Sequence, residues 1–146
     1  MDHTTQILPA VAAVIFNEAG EVLLQKRKDV EKWCVISGHV EFGETVEQAV
    51  LREIEEETGK KASIIRLIGV YSSPGSQTYF YREKTIQYVT TYFEAVLDSE
   101  IEKGFKNQET VELKYFHSDH IPADLALINP NWLKDALDRT VPAFVR

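Results

Sequence analysis

The stretch from residue 38 to residue 60, GHVEFGETVEQAVLREIEEETGK, constrains this chain more than any other. Its middle reads as a helix. Thr45 can cap the start, and Glu47 and Gln48 follow in the first turn, where the positive end of the helix dipole favours acids. Val46 to Thr58 contains no Pro or Gly, and Gly59 is a C-terminal stop. At about 100° per residue, Val46, Ala49, Val50 and Ile54 form one apolar arc. A solvated run of acids should lie opposite that arc. Glu53 and Glu57 instead point into it, and Glu56 lies at its margin. Only Glu55, with Gln48, falls on the wet side.

Glu53, Glu56 and Glu57 are spaced i, i+3 and i+4, so their side chains are neighbours. Two full charges about 4 Å apart repel by roughly 4 kcal/mol at an effective dielectric of about 20. Such a set needs a cation, or some members must protonate. Arg52, four residues before Glu56, offsets part of the charge but cannot neutralise three carboxylates. Hard oxygen ligands on one rigid helix suit Mg²⁺ or Mn²⁺. Magnesium keeps several waters and binds substrate phosphates, so a phosphate substrate is expected.

These residues resemble the Nudix box. That signature is Gly, five residues, Glu, seven residues, Arg-Glu, an aliphatic, any residue, Glu-Glu, any residue, Gly, an aliphatic. Its fixed positions match at Gly38, Glu44, Arg52, Glu53, Glu56, Glu57 and Gly59. The chain departs from the pattern at Lys60, where an aliphatic is usual, and at Ile36-Ser37, where the family often has Pro-Gly.

The resemblance implies a mixed β-sheet sandwiched between helices, an α/β/α sandwich. It implies an enzyme in which water attacks phosphorus in the diphosphate of a small nucleoside derivative, such as a nucleoside triphosphate or ADP-ribose. Mg²⁺ or Mn²⁺ would be held by Glu53, Glu56 and Glu57 with the Gly38 carbonyl. Arg52 is expected to orient a box glutamate through a bidentate ion pair. Glu44 is either a helix-start residue or a second-sphere or metal partner. The general base is a box glutamate in some members and a distant glutamate in others; here Glu109 leads and Glu112 follows. The resemblance favours Arg27 as a phosphate ligand, and His39, within the box loop, is a candidate to touch phosphate. Tyr79, Phe80, Tyr81 and Trp33 are candidates to stack on a base. Family substrate markers fall some sixteen to eighteen residues after the box; Pro74 is early and Tyr79 late, so the substrate stays open. A binding domain that senses nucleotide without hydrolysis is the alternative, and the intact box argues against it. Prenyl diphosphate isomerisation would need a cysteine arrangement not evident around Cys34.

The 146 residues suit one domain, 1–146, with a core of ordinary size. A net charge of −7 argues against binding duplex nucleic acid. Cys34 is the only cysteine, which excludes an internal disulfide and points to a reducing cytoplasm and a packed strand position. The longest apolar run, Ile7 to Phe16, is too short to span a membrane. His3, His39, His117 and His120 lack zinc spacing. Monomer and homodimer both remain open.

Along the chain, Met1 to Gln6 reads as a loose start. Leu8–Asn17 and Glu21–Arg27 read as a hairpin, and Trp33–Ser37 as one short strand. Further strands are expected over Ala62–Tyr71, Thr85–Val96 and Glu109–Phe116, with a loop over Ser72–Gln77. A last helix is expected over Asn129–Thr140, with Asn129 as cap, Pro130 at the first position and Trp132, Leu133 and Leu137 as its stripe.

Overall fold

The computed structural model describes residues 3–146. In chain order the elements are β1 (Thr4–Ile15), β2 (Val22–Arg27), β3 (Trp33–Cys34), β4 (Ile36–His39), α1 (Val46–Thr58), β5 (Ala62–Tyr71), α2 (Pro74–Gln77), β6 (Thr78–Phe80), β7 (Lys84–Leu97), β8 (Thr110–Phe116), α3 (Trp132–Leu137) and β9 (Phe144–Val145). The large sheet runs β4-β1-β7-β5-β9, with β6 also paired to β7. It is mixed: β1 lies parallel to β7, and β9 parallel to β5, while β4 and β5 run antiparallel to their neighbours β1 and β7. A smaller sheet runs β3-β2-β8.

Period-two alternation on β1 feeds two cores, because successive side chains point to opposite faces. Val11, Ala13 and Ile15 pack with Ala49, Val50 and Ile54 of α1. Ala12 and Val14 pack with Ile68, Tyr71, Tyr92 and, from α3, Trp132 and Ala136. From Ala10 to Ile15 both faces of β1 are buried, so that stretch is apolar without interruption. Helices therefore cover the two faces of a mixed sheet, as expected for an α/β/α sandwich.

Several local expectations change. The first strand begins at Thr4, inside the stretch read as loose, because β7 supplies a parallel ladder from Thr4↔Lys84 onward. Met1 and Asp2 of that stretch lie outside the described residues. β1 and β2 do not form a hairpin. They share one bridge, Phe16↔Val22, and then part into different sheets. The turn itself is real, with Gly20 at φ +78°. Val22 to Gln25 are all buried, so β2 needs cover on both faces, which pairing beside the equally buried β1 would not supply alone.

Trp33–Ser37 is likewise two strands. The chain leaves the small sheet at Cys34 and enters the large one at Ile36. That crossing carries Gly38 beneath α1. Within the loop Ser72–Gln77, Pro74 starts a single helical turn, α2. The last helix is shorter than expected. Asn131 holds the cap position, and Asn129 instead accepts the Asn131 N–H at 2.8 Å from a buried site. Leu137 is exposed, because Asp135 and Ala136 take the inward face and Asp135 is held by Tyr71 and Arg146. Among the described residues, no helix is long and apolar enough to cross a membrane.

Candidate active site

α1 starts as its composition requires. Thr45 Oγ1 accepts the Gln48 N–H at 3.1 Å, and Gln48 Oε1 accepts the Thr45 N–H at 2.9 Å, a reciprocal capping box. Gly59 ends the helix at φ +74°, a conformation that costs other residues about 1 kcal/mol or more. Ala49, Val50 and Ile54 anchor one side of α1 to the sheet, which fixes its rotation. Val46 is only half-buried at the margin of the arc.

With the helix so turned, Glu57 is 4% exposed and the Glu53 side chain 13%, while that of Glu56 is 54% exposed. Each of the three offers an oxygen within 4.8 Å of the others. Glu55 points to solvent. The inward placement of the acids read from helical spacing is therefore present.

The Glu53 carboxylate lies directly over Gly38. A Cβ added at Gly38 would stand 2.1 Å from Glu53 Cδ and 2.2 Å from its Oε1. Glycine is needed here for space, because Gly38 has ordinary backbone angles. Burial pushes the Glu53 carboxyl up to about 7, against the pull of Arg52 and with the help of Glu56 and Glu57.

Arg52 is committed to this cluster. Its Nε and Nη2 donate to the two oxygens of Glu44 at 2.7 and 3.0 Å, a bidentate pair. Nη1 donates to Glu53 at 2.9 Å and to Glu56 at 3.3 Å, and Nη2 also reaches the His39 carbonyl at 3.0 Å. The bidentate partner is thus Glu44, whereas the bonds to the other glutamates are single-nitrogen. Glu44 does not cap the helix. It also accepts the Glu41 N–H at 2.9 Å, and its hydrogen bonds from Arg52 hold its carboxyl below the usual range. Glu44 thus holds Arg52, and Thr45 rather than Glu44 caps the helix.

Glu57 is gripped from the small sheet. Gln25 Nε2 and Thr110 Oγ1 both donate to Oε2 of Glu57, the latter at 2.9 Å, and Gln25 also donates to Thr110 at 2.7 Å. Both hydrogen bonds fall on the same carboxylate oxygen. Burial raises the Glu57 carboxyl; Thr110 and Gln25 oppose this, and the nearby Glu109 carboxylate adds to it. Gln25 and Thr110 are functional neighbours that reading the sequence missed. Gln25 had a signal: a polar residue ending the buried run Val22–Leu24. Thr110 had none, since its place depends on β2 pairing with β8.

A cleft of about 410 Å³ opens beside these carboxylates. Gly38, Glu53, Glu56, Glu57 and Glu109 line it together with Arg27, His39, Tyr79, Tyr81 and Tyr88. Arg27 forms a bidentate pair with Asp29 at 3.1 and 2.7 Å. The His39 ring stacks on Tyr88 at 5.4 Å, and Tyr79 meets the same ring nearly edge-on at 5.3 Å. Three of the candidates for stacking on a base or for general base fall outside the cleft. Trp33 is buried edge-on against Phe116 at 5.0 Å, because β3 turns it into the core. Phe80 is 82% exposed on the far side of β6. Glu112 sits opposite Lys26 in the ladder of the small sheet and is exposed. Cys34 is buried as expected, and burial pushes its thiol up to about 12, leaving it protonated and inert.

Three carboxylates, two of them sharing one already engaged arginine, make a hard, acidic donor set that fits a divalent cation. Residues 7–136 match the family model of the NUDIX domain. The chain belongs to the Nudix family. Its box therefore runs from β4 through a turn into α1, with Lys60 as the departure at its end; Lys60 Nζ pairs with Glu102 at 3.0 Å instead of packing as an aliphatic.

This Nudix chain is 37% identical over 131 residues to an ADP-ribose pyrophosphatase of Methanocaldococcus jannaschii, covering 87% of the chain and 72% of the relative. Over 64 residues it is 47% identical to a Bacillus subtilis (strain 168) protein provisionally named 8-oxo-dGTP diphosphatase, covering 44% of this chain and 43% of that protein. A solved UDP-X diphosphatase superposes with a TM-score of 0.73 at 28% identity, covering 89% of this chain and 61% of the other. The chain thus spans less than half of the Bacillus relative.

Proposed function

We propose that this Nudix protein hydrolyses the diphosphate linkage of a small nucleoside diphosphate derivative and releases a nucleoside monophosphate. The observation that carries this reading is one cleft lined both by the box carboxylates and by aromatic rings. A nucleotide offers a counterpart to each, anionic phosphates for a cation held by the carboxylates and a flat base for the rings. The names of the relatives cited above, which include ADP-ribose and 8-oxo-dGTP as substrates, support the substrate class.

Glu53, Glu56 and Glu57, with the Gly38 carbonyl, would hold Mg²⁺ or Mn²⁺. When bound, such an ion supplies positive charge to the diphosphate oxygens and makes water more acidic. The chain's own residues do the rest. Gln25 and Thr110 aim Glu57, and Arg52 aims Glu53 and Glu56 while Glu44 holds Arg52 in place. Arg27 binds a phosphate oxygen by exchanging Asp29 for the substrate. His39 and Tyr79 flank the base. Glu109 accepts a proton from the attacking water. The water oxygen bonds to phosphorus, the bridging P–O bond breaks, and the leaving phosphate takes the electron pair. Such phosphoryl chemistry depends mainly on positioning and charge.

We place the protein in the cytoplasm, where a lone buried thiol needs no partner, with small molecules rather than duplex nucleic acid as its substrates. The test is a nucleotide panel with Mg²⁺, monitored for monophosphate release. Glu56→Gln and Glu57→Gln are each expected to lower kcat by about a hundredfold or more, with unchanged circular dichroism. Tight nucleotide binding without turnover of any compound would replace this reading with that of a sensor.

A further inference from the structure

The loop between β7 and β8 is latched onto the C-terminal end of α1. Lys60 pairs with Glu102, and the Phe105 ring closes over Gly59, where an added Cβ would stand 2.9 Å from it. The last latch before β8 is Asn107. Its Nδ2 donates to the Glu56 carbonyl at 2.8 Å, and its Oδ1 accepts the N–H groups of Glu109 at 2.9 Å and Thr110 at 2.8 Å. These three bonds fix which way the amide faces: two N–H donors require the oxygen, and a carbonyl requires the nitrogen. One half-buried side chain thereby joins the last turn of α1, between Glu56 and Glu57, to the two residues that meet Glu57 from the other side. The Glu109 carbonyl is pinned in turn by the Lys28 N–H at 2.8 Å.

We infer that Asn107 is a positioning residue that sets the distance between the box carboxylates and Glu109. It touches no substrate and acts through the backbone on either side of the cleft. The inference rests on the proposed hydrolysis and on Glu109 taking part in it.

Asparagine is required because the job needs an acceptor and a donor together. Aspartate keeps the acceptor for both N–H groups, so it preserves the local turn before β8. It cannot donate to Glu56, and it sets a carboxylate against that carbonyl. A residue that only shapes the loop would tolerate aspartate. A residue that ties the loop to α1 would not.

The experiment compares Asn107→Asp, Asn107→Ala, Glu109→Gln and the Asn107→Asp/Glu109→Gln double variant, with kcat, KM and thermal midpoint measured at saturating Mg²⁺. Both Asn107 variants are expected to lose about 10- to 100-fold in kcat with KM changed less than about threefold, as for a reacting group displaced by about 1 Å. Asn107→Asp is expected to keep a near wild-type melting midpoint, so it reports even if Asn107→Ala unfolds. In the Glu109→Gln background, Asn107→Asp is expected to add less than about twofold, because both changes act on one group. Wild-type kcat in Asn107→Asp, with Glu109→Gln impaired, would overturn the inference alone. An undiminished loss in the double variant would overturn it too, by showing that Asn107 does not act through Glu109. Wild-type kcat in Glu109→Gln would remove Glu109 from the chemistry, and the inference with it.

Discussion

Gly38→Ala separates packing from chemistry at this site. The new Cβ would stand 2.1 Å from Glu53 Cδ and within 2.6 Å of both carboxylate oxygens. Carbon contacts relax near 3.5–4.0 Å, so the carboxylate must retreat by roughly 1–2 Å. It is the far end of a flexible side chain, so the retreat itself strains the fold little. Yet it breaks the bond from Arg52 Nη1 at 2.9 Å and takes Glu53 out of a set whose oxygens lie within 4.8 Å. A misplacement of about 1 Å costs on the order of a hundredfold in rate, or about 2.7 kcal/mol of barrier. The expected outcome is a melting midpoint within a few degrees of wild type, a kcat/KM down by about a hundredfold, and a raised Mg²⁺ requirement. Steady-state kinetics across a Mg²⁺ titration, with a thermal melt, measures all three. An alanine variant with wild-type rate and metal requirement would refute the reasoning.

The Glu53 carboxyl, raised from 4.5 to about 7 by burial, makes a pH prediction for the metal-free protein. Between those values the folded state holds a proton that the unfolded state has lost, so stability falls as pH rises through the window, by at most about 3 kcal/mol. Urea unfolding in chelator from pH 4.5 to 7.5 checks this, and added Mg²⁺ is expected to restore stability at the upper end. Glu94 offers a contrast on the opposite face of the sheet. It is 2% exposed between Arg66 at 3.0 Å and Arg139 at 2.7 Å. Glu94→Ala leaves the Arg66 guanidinium without its partner and is expected to cost about 3 kcal/mol in urea unfolding, with kcat at 25 °C unchanged.

Much of the site was legible because it is local. A capping box, a glycine stop and i, i+3, i+4 spacing act within one helix, so Thr45, Gly59 and the inward turn of Glu53 and Glu57 follow from periodicity. Strand existence was legible for the same reason, since alternation is a property of consecutive residues. Strand partnership was not. Nothing in Leu8–Arg27 shows that β1 and β2 enter different sheets, because each strand is apolar enough to pair with any other.

The amino-acid order alone determined a helix that turns acids inward, a set that calls for a cation or for shared protons. Only the tertiary structure decided what meets those acids. Gln25 and Thr110 are far apart in sequence yet bond at 2.7 Å, and Asn107 reaches the carbonyl of Glu56 across a separate turn of chain. Gly38 lies under Glu53 because the chain changes sheets between Cys34 and Ile36. Helical neighbours are set by a repeat of a few residues, whereas contacts between strands depend on which partners bury the most apolar surface together, a choice made by the whole chain at once.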